Sequence, residues 1–189
     1  MRLKTRWNMK DKTRTIQDTA SALAFNMWRI GQAALLNLEN EGFQTDTQMH
    51  RLEVMQEFMA FLIHIVDRVA YERMDDEERA EFVTAVARKI ADYVQDNARD
   101  FVGEGDHRAP FIALLNERMD DYADFGFSDL EPSFQMSRRF GDHIAGTLGE
   151  RQRKWASTQI IDIEVPTALK SLKRAINSLL PEDAPAEQA

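Results

Sequence analysis

The stretch Asp46–Arg73, DTQMHRLEVMQEFMAFLIHIVDRVAYER, decides the fold. At 100° per residue, Leu52, Met55, Phe58, Met59, Leu62, Ile65, Val66 and Val69 gather on one side of a helix. Phe61 and Ile63 widen that apolar arc well beyond the stripe of an ordinary surface helix, so the segment is expected at the centre of a bundle. His50, Glu53, Glu57, His64, Asp67 and Tyr71 form a polar stripe on the remaining side. That stripe is either a solvated back face or a polar site inside the bundle, and the presence of chemistry turns on which.

Working outward, a helical period runs from about Thr13 to Glu41 through Ile16, Ala20, Leu23, Met27, Ile30, Ala34, Leu35 and Leu38, and Gly42 suits the left-handed residue that ends it. Gly31 in its interior weakens the helix by about 1 kcal/mol relative to Ala, and so marks the close approach of another backbone. Thr45-x-x-Gln48 reads as a capping box for the 46–73 helix. Asp75–Glu78 supplies the negative first turn of a third helix reaching Val102, with Phe82, Val86, Ile90, Tyr93, Val94 and Phe101 facing inward. After the glycine loop 103–107, Pro110 fits the first turn of a fourth helix to Phe125, and Pro132 the start of a fifth that runs toward Trp155. Ile160, Ile161, Ile163 and Val165 alternate partly with Asp162 and Glu164. That stretch is expected as an extended or helical connection bending at Pro166 before a last helix over 166–180.

The expected fold class is therefore all-α, an antiparallel bundle of five or six helices with the 46–73 helix central. Residues 1–12 read as a basic N-terminal arm, 13–180 as a single helical domain and 181–189 as a disordered acidic tail. Hydrophobic residues at 43% and charged residues at 30%, with 8 Gly and 5 Pro, fit a globular helical chain. No Cys is present, which excludes disulfides, thiolate nucleophiles and thiolate metal sites. No apolar run approaches a membrane span and no secretory leader is legible, so a soluble, cytoplasmic protein is expected. The net charge of −8 is uneven, with an acidic middle (39–131) between two basic segments. Docking of oppositely charged helices within the chain explains this most simply; a basic surface for nucleic acid is the less favoured reading.

Candidate chemistry concentrates on the stripe. His50 and Glu53, like His64 and Asp67, are three residues apart and adjacent on a helix surface. From there a carboxylate can orient a histidine as a general base, or the pair can hold a metal. A di-metal carboxylate bundle needs Glu-x-x-His on two helices, yet the only literal match, Glu104-x-x-His107, sits in the glycine loop. The four histidines at 50, 64, 107 and 143 are too scattered for a zinc triad, and Asp92, Asp96, Asp100, Asp120, Asp121 and Asp124 read as solubilising acids. Neither a nucleophile elbow nor a phosphate loop is present. No cofactor, metal or catalytic residue is assigned.

Other features point to contact with a partner. Ser137, Gly141, Ala145 and Gly149 recur every four residues as a close-packing seam, within the chain or between copies. Arg151, Arg153, Lys154 and Trp155 form a basic-aromatic cluster, read first as a helix end with the Trp buried, and Phe125 and Phe127 are candidate anchors. The expected function is a non-enzymatic helical binding or scaffold module, self-associating or engaging a protein partner. The alternatives are a bundle holding an apolar small molecule among its Phe and Met side chains, and a metal-dependent or acid–base enzyme using His64 and Asp67.

Overall fold

The computed structural model describes residues 15–149 and 152–180, and of Lys154 the backbone alone. The expected arm 1–12, the tail 181–189, Arg151 and the Lys154 side chain lie outside the described residues. The fold is an all-α bundle. Its helices are α1 (Ile16–Asn40), α2 (Gln48–Arg73), α3 (Asp76–Val102), α4 (Arg108–Ala123), α5 (Phe134–Leu148), α6 (Arg153–Gln159) and α7 (Val165–Leu179).

Local chemistry sets the ends. Thr15 opens α1 with a reciprocal capping box to Asp18, and Asp75 and Ser133 cap α3 and α5. At the far end of α1, Gly42 adopts φ 90°, Phe43 N–H donates to the Leu38 carbonyl at 3.0 Å and Gly42 N–H to that of Glu39 at 3.1 Å. This is a Schellman ending, and it turns the chain back into α2. The cap of α2 is Thr47, not Thr45: Thr47 Oγ1 accepts from His50 N–H at 3.0 Å, while the Thr45 hydroxyl is drawn to the Glu39 carboxylate.

Helix α2 packs against α1, α3, α4 and α5, and every residue from Glu57 to Val66 is buried. Over that span the helix has no solvated back, so Glu57 and His64 must find partners inside. Gly31, expected to mark the approach of another backbone, instead makes room for side chains of α2: a Cβ there would lie 2.6 Å from Met59 Cε and 3.0 Å from Met55 Cε. Phe101, expected inward, is 45% exposed at the end of α3.

One detail departs from the sequence reading and another sharpens it. Between α4 and α5 the chain forms a small antiparallel hairpin, β1 (Phe127–Ser128) with β2 (Glu131–Pro132), so Pro132 lies in a strand and α5 starts at Phe134. Asp129 and Leu130 turn it with φ of 53° and 60°, as a two-residue hairpin requires. Of the two expectations for 160–164, extended or helical, the helical one holds. The stretch is a π-helix joining α6 to α7 in one rod, with Val165 N–H donating to the Ile160 carbonyl. Pro166 cannot donate to Asp162 and its ring crowds that carbonyl; the wider π turn relieves both problems without breaking the helix.

Candidate functional site

The stripe on α2 divides once its neighbours are in place. His50 Nε2 lies 2.8 Å from the Thr147 carbonyl while its Nδ1 accepts from Asp46 N–H at 3.4 Å, so this ring ties the start of α2 to the end of α5. Glu53 and Tyr71 are exposed. Asp67 does not engage His64. It receives Arg79 Nε and Nη2 at 2.8 Å each, a bidentate pair from α2 to α3, and Arg79 also lies over the Tyr71 ring.

Glu57 and His64 instead face α4 and α5. Glu57 is 4% exposed and takes both arms of Arg118, Nε and Nη2 each at 2.8 Å, while Arg118 Nη1 reaches Glu117 at 2.5 Å. His64 is 3% exposed, and its Nε2 accepts from Arg68 Nε at 3.3 Å, which leaves the proton of the neutral ring on Nδ1. Burial and the adjacent Arg68 charge lower its pKa to about 4, with Asp67 opposing weakly. Arg68 meanwhile donates to the Ala123 and Phe125 carbonyls, closing the end of α4. Tyr122 sits between these groups, with its ring 5.4 Å from that of His64 and 5.9 Å from that of His143, and burial raises its pKa strongly.

Beyond Tyr122, Asp121 accepts from Arg139 Nε at 2.6 Å and Nη2 at 2.8 Å, and His143 Nε2 lies 2.6 Å from the same carboxylate. Arg139 in particular holds the Asp121 pKa below the usual carboxylate range, with His143 adding to it. Sequence reading assigned Asp121 to surface solvation; the signal that would have placed it is the helical register of Arg118, Asp121 and Tyr122 on α4.

Chemically, this cluster is occupied by itself. The carboxylates have bidentate arginine partners, and the unpartnered buried atoms, His64 Nδ1 and Tyr122 Oη, are sealed from solvent. Among the described residues no three His, Asp or Glu side chains converge as a metal site requires. Among the surface grooves of the described residues, one is formed by Ile16, Arg73, Met74, Phe82 and Leu180 and another lies between α1 and α7; neither of these is lined by Glu57, His64 or Tyr122.

The residues singled out as contact candidates also separate. Ser137, Gly141 and Ala145 are buried, and a Cβ at Gly141 would stand 3.4 Å from Ser157 Cα on α6, so the seam is used within the chain. Gly149 ends α5 at φ 82°. Phe125 and Phe127 are half-buried against the core. Arg153 is exposed, and Trp155, expected to be buried, is 74% exposed.

A second polar site was not foreseen. Glu164, in the last position of the π-helix, is 2% exposed, and its Oε1 accepts from Asn37 Nδ2 at 2.6 Å and Gln159 Nε2 at 3.1 Å. Burial raises its pKa against those two amides. Glu164 lines the groove between α1 and α7 with Ile30, Ala33, Ala34, Thr167 and Ala168. The one sequence signal was the irregular period of 158–165. No protein family, curated protein or solved structure matches this chain. Among the described residues no helix is long and apolar enough to cross a membrane.

Proposed function

We propose that this chain is a non-enzymatic helical binding module that associates with a second copy of itself through the face made by α1 and the α6–α7 rod. The observation that carries this reading is the large apolar side chains exposed on α1 and along the α6–α7 segment. Leu36 is 57% exposed, Ile163 46% and Trp155 74%. Leu36 and Ile163 lie one residue from Asn37 and Glu164, whose hydrogen bond joins α1 to the start of α7. Exposed Trp and large aliphatic side chains grouped on one face characterise interaction surfaces.

Charge supports a second copy as the occupant. Helix α1 lies against both α3 and α7. Outside it, α3 exposes six acids, Asp76, Glu77, Glu78, Glu81, Asp96 and Asp100, against two cations, Arg88 and Arg99, while α7 exposes Lys170 and Arg174. One molecule thus offers faces of opposite sign on either side of α1, which suits copies meeting head to tail. The sealed cluster around His64 fits a structural role and leaves no access for a substrate.

Static light scattering over a concentration series tests the reading. The expected result is a mass that rises with concentration, falls back at high salt and stays monomeric in Leu36→Asp and Ile163→Asp variants. A wild-type chain that remains monomeric throughout would overturn it.

A further inference from the structure

We infer that the groove between α1 and α7 is a binding site for a primary alkylammonium group, with Glu164 as the carboxylate that receives the cation. The inference concerns the single chain and stands whether or not copies associate.

Glu164 is a buried carboxylate without a cation. The other buried carboxylate, Glu57, has both arms of Arg118. Glu164 has two neutral amides, and the charge that acts on it is a second carboxylate, Glu41 at the end of α1. A carboxylate removed from water stays protonated or is met by a positive charge, and the hydrogen-bond partners Asn37 and Gln159 supply no charge. Both amides converge on Oε1, so Oε2 has no hydrogen-bond partner among the described residues. Unlike His64 Nδ1 and Tyr122 Oη, which are sealed, Glu164 lines an open groove.

The surroundings select the ligand. The groove encloses about 390 Å³ and is walled by Ala33, Ala34 and Ala168, small side chains that leave room for an alkyl stem beside the carboxylate. With Oε1 already taken, a single free oxygen suits an ammonium, which acts as a compact point charge. A guanidinium would need both oxygens for its planar fork. A divalent cation would need several oxygen ligands, and among the described residues no group of three acidic or histidine side chains converges here. The ammonium can be carried by a small amine or by a lysine side chain; the chemistry at Glu164 is the same.

The test is an amide-resonance NMR titration of the monomeric full-length chain with n-butylamine, against n-butanol as the uncharged control. Saturable shifts confined to residues 33–41 and 159–171 are expected with the amine. The alcohol should bind about tenfold more weakly or worse, the loss of one charge-assisted hydrogen bond. Glu164→Gln should lose amine binding to the same degree. Ala33→Leu, at an exposed position on the groove wall, should also lose it while leaving Glu164 intact, so the test does not depend on one variant folding. A capped lysine pentapeptide and its norleucine counterpart distinguish the sources: binding of the lysine peptide alone assigns a side-chain ligand, and binding of butylamine alone a small amine. Absence of saturable shifts with either amine, or equal shifts in wild type and Glu164→Gln, would overturn the site.

Discussion

Protonating His64 should unfold this protein from within. The ring is 3% exposed, receives a hydrogen bond from Arg68 on Nε2 and is held neutral down to about pH 4. An unfolded chain protonates the same ring near 6.5. The folded pKa is therefore depressed, so the contribution to stability is fully present above about pH 6.5 and is lost as pH falls toward about 4. Between those values the unfolded state holds one more proton than the folded state. Stability should then fall by about 1.4 kcal/mol per pH unit, for a total of about 3 kcal/mol.

Other groups overlap this window, so the informative quantity is a difference. Burial raises the Glu164 pKa, and its contribution runs the other way, present at low pH and lost as pH rises. Asp121 has a depressed pKa and acts chiefly below its ordinary value of 3.8. His64→Leu removes the ring while keeping the volume near constant, and Arg68 retains the Ala123 and Phe125 carbonyls. At pH 7 the variant should lie within about 1 kcal/mol of wild type, because the lost imidazole carried an unpartnered N–H. Urea midpoints from pH 4.5 to 7, with the imidazole titration followed by NMR, make the measurement. Parallel pH curves for wild type and variant, or a His64 ring that titrates near 6.5, would refute the reasoning.

Substitutions at three further sites probe the packing around this centre. Arg118→Met should cost about 3–5 kcal/mol by leaving Glu57 buried and unpaired, and the double variant Glu57→Leu/Arg118→Met should recover most of that loss in urea denaturation. Gly31→Ala should fall within about 1 kcal/mol of wild type in urea, since the helix gains propensity while only the flexible ends of Met59 and Met55 must shift; Gly31→Val should cost about 1–3 kcal/mol by overpacking. Gly141→Ala should be neutral or stabilising by up to about 1 kcal/mol, because its Cβ meets the Ser157 backbone at ordinary contact distance. A Gly141→Leu side chain would push α6 outward and lower the melting temperature.

The bundle was legible because its central signal is redundant. Eight apolar positions on Asp46–Arg73 agree on one face, and Gly42, Asp75 and Gly103 punctuate the chain where helices turn. The same strength misled the reading of the polar stripe. A helix buried over ten consecutive residues has no outside, so position on the helical wheel does not separate Asp67, paired to α3, from His64, enclosed by α4. The partners that decide the matter stand far along the chain: Arg118 is 61 residues from Glu57, and the Ala123 carbonyl 55 from Arg68. Sequence spacing within one helix carries no information about the register of another. Thr45 and Trp155 failed for a related reason, since a hydroxyl competes among several acceptors and a Trp beside basic residues fits a buried or an exposed helix end equally.

Glu57 and Glu164 make the same point with opposite consequences. Each is an acid among apolar neighbours on a buried helix face, and in the sequence nothing distinguishes them. Tertiary structure brings a guanidinium to Glu57 and closes it, whereas Glu164 meets only the amides of Asn37 and Gln159. The π turn accounts for part of this difference. It keeps Pro166 within the rod and swings Glu164 toward α1, where the facing side chains are small and uncharged. A bundle that could have placed Lys or Arg opposite that carboxylate has Ala33, Ala34 and Asn37 there instead, so burial favours the protonated acid until a cation is supplied.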